Sequence, residues 1–184
     1  MNIFILDSDA TKAATMHTDK HVRKMILETS QMLSTAHHIL DGYKPGIYKP
    51  AYANHPCTVW VRETSANYSY ALKLLYGLHN EYKNRFGKIH ASVSILDALT
   101  KFPTNIRQAS MTPFALAMPK QYHSSLGAVQ SYRNYYNYEK RHLFQWTNAQ
   151  IPSWVLQETP QCNFSTRLYE LKYLVNPLTP QGGK

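Results

Sequence analysis

Carboxylates are scarce in this chain. Eleven Asp and Glu stand against twenty Lys and Arg among 184 residues, a formal net charge of +9. Charged residues of both signs make up only 17%, below the roughly 25% of an average soluble protein. Cysteine is nearly missing too: Cys57 and Cys162 are too few for a disulfide framework or a cysteine zinc cluster. A cytoplasmic setting is therefore expected (the host cytoplasm, if a phage encodes the chain). No run approaches the roughly 18 apolar residues of a membrane span. The apolar patch Ile3 to Leu6 is followed at once by Asp7 and Asp9, unlike a secretory signal. Sustained period-two alternation, internal repeats and a glycine-rich phosphate loop are also lacking. These absences exclude a membrane protein, a sheet-dominated fold, a solenoid and a P-loop nucleotide enzyme.

Apolar and aromatic residues are plentiful. Hydrophobic residues reach 43%, aromatics 12%, and 14 tyrosines outnumber 7 glycines. Such a chain is not intrinsically disordered, and its length suits one domain with one core. Excess cations among phenol rings suit a nucleic-acid partner, because cations neutralise phosphates and rings stack on bases. A basic globular protein with a tyrosine-rich core is the alternative.

The pattern is helical throughout, and predicts an all-α, compact single-domain helical bundle with a long irregular connector. Residues 1–9 read as an extended lead-in, with Asp9 as N-cap. From Ala10 to Leu40, Val22, Met25, Ile26, Thr29, Leu33 and Ala36 fall on one side at steps of three and four. Asp41-Gly42 stops that helix. Pro56 opens a long helix running to Phe86, closed by Gly87. Ser92 opens a shorter one to Lys101. Residues 103–123, with Pro103, Pro113 and Pro119, form the connector, and Ser124 or Ser125 caps a last helix to Phe144. A helical domain over 1–154 and a partly flexible C-terminal extension over 155–184 are expected.

Three constellations offer chemistry. On the first long helix, His17, His21, Lys24, Glu28 and Gln31 follow steps of four, three, four and three, forming a polar stripe opposite the apolar face. Asp19, Lys20 and Arg23 adjoin it. An acid, imidazoles and cations within reach of one ligand are the parts of proton transfer beside a phosphate. A solvated helix face is the plainer interpretation. His17 and His21 have the spacing of paired helix ligands, but Thr18 stands where a zincin places glutamate and the neighbouring cations repel a metal. Neither metal nor cofactor is expected.

The second constellation is Asn54-His55-Pro56-Cys57, leading to Trp60 and Arg62. Asn54 and His55 are either caps or groups beside a phosphate at a helix N-terminus. Cys57 reads as a small buried residue. The third runs from Tyr132 to His142. There Arg133, Lys140 and Arg141 interleave with Tyr132, Tyr135, Tyr136 and Tyr138, either as a stacking and phosphate-tracking surface or as a tyrosine core.

The run Asn2 to Asp7, and then His17 to Leu33, resembles the opening of the pyrimidine-dimer DNA glycosylase (endonuclease V-like) family and its phage and bacterial relatives. The carriers are Asp19-Lys20-His21 followed by Lys24, Glu28 and Gln31. Asn54-His55-Pro56 with Trp60 is similar to a later segment of that family, and Tyr132 to Tyr138 is loosely so. The resemblance covers roughly residues 1–90. It implies an all-α repair enzyme acting on damaged or modified pyrimidines in duplex DNA, working as a monomer. An N-terminal α-amine attacks the sugar C1′ to form a Schiff base, and β-elimination cuts the strand, assisted by a first-helix glutamate. α-Amines as a class have a pKa near 8 and are partly unprotonated at neutral pH.

Asn2 is bulky and disfavours removal of Met1, so the implied amine is that of Met1, with Lys20 or Lys24 as substitutes. Glu28 is the first choice for the acid and Asp19 the second. The implied substrate contacts are His17, Asp19, Lys20, His21, Arg23, Gln31, Asn54, His55, Trp60, Arg62, Arg133, Tyr135, Tyr136, Lys140 and Arg141. An enzyme of the same scaffold that modifies or removes an altered base or nucleotide, and a non-catalytic nucleic-acid-binding protein, remain alternatives.

Overall fold

The computed structural model describes residues 1–156. Nearly all of the expected C-terminal extension, with Cys162, lies outside them. Among the described residues there are six α-helices and no strand: α1 (Ala10–Met16), α2 (Asp19–Asp41), α3 (Pro56–Glu63), α4 (Ser65–Phe86), α5 (Leu96–Thr100) and α6 (Ala128–Glu139). Short 3-10 turns lie at Ala91–Ile95, Lys120–Tyr122 and Arg141–Leu143. The all-α expectation holds. No helix of these residues is long and apolar enough to cross a membrane.

The apolar periodicity of α2 is obeyed. Val22, Met25, Ile26, Thr29, Leu33 and Ala36 are all buried, and α2 packs on α3 and α4. α1 lies along α4, where Gly77 meets Ala14 so closely that a Cβ on the glycine would sit 2.6 Å from the Ala14 Cβ. The caps read from sequence are also present. Asp9 accepts the Lys12 amide, Pro56 opens α3, and Gly87 ends α4 in the left-handed conformation.

Two helices expected to be continuous are broken. The first divides at His17 and Thr18, both extended. The cause is Arg85 of α4, whose guanidinium donates to the carbonyls of Thr15 and His17, both at 2.8 Å. The same group pairs with Asp19 at 3.1 Å. A buried cation thus satisfies the free carbonyl end of α1 and holds the first residue of α2. The second divides at Thr64, which is extended and caps α4 through the Asn67 amide. The last helix also differs at both ends. Gly127, not a serine, is its N-cap, and the α-helix stops at Glu139.

The N-terminal lead-in runs through the centre of the molecule. Ile3, Phe4, Ile5 and Leu6 are all buried. Side chains bind its carbonyls in place of a sheet partner: Arg133 donates to Leu6, and Tyr70 to Asp7. The connector between α5 and α6 is irregular, as expected. It is tied down by Asn67, which bonds Thr112 through both ends of its amide.

Candidate active site at the N-terminal amine

Burying residues 3–6 carries the start of the chain onto the middle of α2. The Met1 amine lies 3.7 Å from Glu28 Oε2, and the Asn2 amide donates to the same oxygen at 3.0 Å. Lys24 Nζ, one turn earlier on α2, stands 3.4 Å from Glu28 Oε1. The Met1 side chain is 1% exposed, yet the residue as a whole is only half-buried. What it exposes is therefore main chain.

The Asn2 side chain fixes this placement. Its Nδ2 donates to the Ala117 carbonyl at 2.9 Å, while its Oδ1 lies 3.1 Å from the Tyr132 hydroxyl and 3.4 Å from the Cys57 thiol. The Thr58 hydroxyl points at Met1 Sδ. Burial raises the Cys57 thiol pKa, so the sulfur stays protonated and donates to Asn2.

His55 borders the pair. Its Nδ1 caps α3 by accepting the Cys57 amide. Partial burial is the main cause that lowers its pKa; the nearby N-terminal charge adds to this and Glu28 opposes it. The ring is thus neutral near pH 7, with its proton on Nε2, because Nδ1 is an acceptor. The segment carrying it is held by Arg62, whose Nη1 donates to the Ala53 carbonyl at 2.6 Å. Asn54 is exposed on this segment and Gln31 half-buried on α2.

A cationic cleft of about 540 Å³ borders the same helix, lined by Asp19, Lys20, Arg23, Lys24 and Gln145. Lys24 belongs to both the cleft and the Glu28 pair. The Arg23 guanidinium lies 4.2 Å from the Phe86 ring centre, which orients it while leaving the residue exposed.

The polar stripe is not a solvated face. His17 is outside the helix of His21, because the chain breaks between them, and both rings are buried. His17 Nδ1 lies 2.7 Å from the Ala13 carbonyl. His21 stacks on Phe4, with Nδ1 2.6 Å from the Tyr136 hydroxyl. Loss of hydration lowers the His17 pKa to about 4 and the His21 pKa to about 3. Asp19 is buried too, bonded to Arg85 and to the Thr147 amide and hydroxyl. These three side chains hold α1, α4 and α6 around the site; the two rings face away from open solvent, and Asp19, though buried, lines the cleft.

The aromatic-basic segment likewise closes the core. Tyr132 and Tyr136 are fully buried, and burial raises both phenol pKa values. Tyr135 is half-buried beside Phe4, with Lys140 Nζ 4.7 Å from its ring centre. Arg133 binds Leu6, Asp7 and the Trp154 ring, and Arg141 donates to the Leu156 carbonyl. Tyr138 is exposed on a different side of the helix. Trp60 is buried against Phe114, its indole donating to the Thr112 carbonyl. Of the expected contacts, Glu28, Met1, Lys24 and His55 come together, and Lys20 and Arg23 adjoin them.

Thr58 is a member of the site that the sequence did not single out, while Asn2 and Tyr132, read there only as parts of the N-terminal run and of the aromatic-basic segment, turn out to hold the amine in place. Nothing in the spacing relates Asn2 to a tyrosine of α6. Among the described residues no three His, Cys, Asp or Glu side chains converge as a metal requires. No family model, curated protein or solved structure matches this chain.

Proposed function

We propose that this protein is a DNA glycosylase and abasic-site lyase, acting on damaged or modified pyrimidines in duplex DNA as a monomer. Met1 would be the nucleophile and Glu28 the acid/base. The observation that carries this is the Met1 amine at 3.7 Å from a carboxylate that has a single α-amine, one amide and one lysine around it.

The chemistry balances with these groups. Glu28 takes a proton from the ammonium, and the amine lone pair forms a bond to C1′. At a base-bearing nucleotide the C1′–base bond breaks, the base leaves with the electron pair and takes the proton of the new C1′–N nitrogen, and Glu28 returns its proton to O4′ as the C1′–O4′ bond opens to the protonated imine; at an abasic site the amine adds to the aldehyde and the resulting hydroxyl, protonated by Glu28, leaves as water. The resulting imine acidifies the C2′ hydrogen, which Glu28 removes, and the C3′–O bond breaks to release the phosphate end. Water then hydrolyses the imine and restores the amine. Lys20, Arg23 and Lys24 supply charge for the flanking phosphates.

Lys24 Nζ is the rival nucleophile, being close to the other oxygen of Glu28, but its side chain is 63% exposed. Met1 is held by the Thr58 hydroxyl at its sulfur and by the hydrogen bonds of the adjoining Asn2. The geometry also favours amine chemistry over the alternative base- or nucleotide-modifying enzyme, which has no use for an amine beside its acid.

Incubation with abasic or ultraviolet-irradiated duplex and borohydride should trap a covalent adduct on the Met1 peptide, in a preparation whose intact mass shows Met1 to be the free end. An adduct on Lys24 would transfer the role to that residue. If neither lesion is cut and no adduct forms, while salt-sensitive binding remains, the protein is a non-catalytic nucleic-acid-binding protein.

A further inference from the structure

Tyr52 has a backbone that tyrosine rarely adopts. Its φ is 48°, and the only other non-glycine residue with positive φ among the described ones is Asn148, a residue type that tolerates this region. Core burial does not compensate, because Tyr52 is 71% exposed. The surrounding contacts impose the conformation. The Ala51 amide donates to Thr35 Oγ1 at 3.0 Å, Arg62 holds the Ala53 carbonyl, and the His55 amide donates to the Tyr52 carbonyl at 2.9 Å. An exposed phenol ring therefore stands on a pinned mount, an arrangement that marks functional positions when strain is retained.

The mount lies on the segment that borders the site. Thr35 is two helical turns beyond Glu28 on α2, and His55, which closes the turn on Tyr52, senses both the N-terminal charge and Glu28. The other border of the site is the cationic cleft of Lys20, Arg23 and Lys24. Cations on one side and a flat ring on the other are the two components that a nucleic-acid strand engages, through its phosphates and its bases respectively.

We propose that Tyr52 is a stacking platform for a nucleobase next to the sugar that meets the amine, an assignment that rests on the lyase chemistry proposed above. It contributes affinity and the seating of the sugar, with little sequence preference, since every base has a π-face.

The test uses the full chain and a duplex carrying a non-reactive tetrahydrofuran sugar flanked by 2-aminopurine. Wild type should bind it and change the 2-aminopurine fluorescence. Tyr52→Ala should bind about tenfold more weakly and lose the fluorescence change, whereas Tyr52→Phe and Tyr52→Trp keep both. Tyr52→Asn, which accepts the left-handed backbone without a ring, should match Tyr52→Ala. Equal binding and fluorescence for wild type and Tyr52→Asn, or a Tyr52→Phe as weak as Tyr52→Ala, would overturn the stacking role alone. Wild type that neither binds this duplex nor is trapped by borohydride on an abasic one would overturn the lyase chemistry and the stacking role together.

Discussion

Asn2 and Tyr132, 130 residues apart, meet at 3.1 Å between Oδ1 and the phenol oxygen. The contact joins the start of the chain to α6, and Asn2 passes the constraint to Glu28 through its own amide at 3.0 Å. The amine is thus placed by a residue that need not touch any substrate.

Asn2→Gln should expose that role. The longer side chain keeps the bulk that retains Met1 but cannot satisfy Ala117, Cys57 and Tyr132 from the same backbone position. Single-turnover cleavage of abasic duplex should fall by about 100-fold, the scale of an ångström-sized misplacement. Binding of a non-cleavable duplex should stay within about twofold of wild type. A change in binding as large as the change in rate would mean that Asn2 acts on the fold instead.

Glu28→Gln preserves shape and removes the base. Cleavage and borohydride trapping should drop by at least about 100-fold, measured on abasic duplex. Affinity should hold or rise, because a negative charge beside the phosphates is gone. Unchanged cleavage would remove Glu28 from the chemistry.

Arg85→Met tests the break between α1 and α2. It leaves Asp19 and Glu81 without their buried partner and the Thr15 and His17 carbonyls without a donor. Removing one member of a buried ionic group costs about 3–5 kcal/mol. Urea unfolding at neutral pH should show a loss of that size. A loss below ~1 kcal/mol would mean that the helix break does not depend on Arg85.

Stability should fall on mild acidification. Burial lowers the folded-state pKa of His17 to about 4 and of His21 to about 3, from an ordinary value of 6.5. His37 and His79 move the same way, each to about 4. Between these values and 6.5 the unfolded chain binds protons that the folded chain does not, so unfolding becomes easier as pH drops. The full contribution is present above pH 6.5 and declines from there toward pH 3–4. A fully buried histidine such as His17 should cost on the order of 2 kcal/mol at pH 4.5. Urea midpoints at pH 7 and 4.5 measure the sum. A midpoint that is flat over this range would contradict neutral, buried rings.

The helical class, the buried face of α2, and the caps at Asp9, Pro56 and Gly87 were legible because each depends on residues within a turn or two. Glu28 was legible as a carboxylate set among cations and histidines, and His55 as a cap beside a helix start. The burial of Asp19 and His21 was not, and that of Tyr136 was only one of two readings. A polar side chain counts as exposed in a local pattern, and these are buried only because Arg85, Thr147 and Phe4 meet them from distant parts of the chain.

The sequence by itself determined a basic, tyrosine-rich, all-α domain and the acid on its first long helix, since composition and short-range periodicity dictate both. The tertiary structure decided where that helix breaks, which cations stay open to a ligand, and that the first amine of the chain lies against Glu28. Those outcomes depend on contacts across 26 to 130 residues, and whether a polar group is buried is set by the partner that such contacts supply.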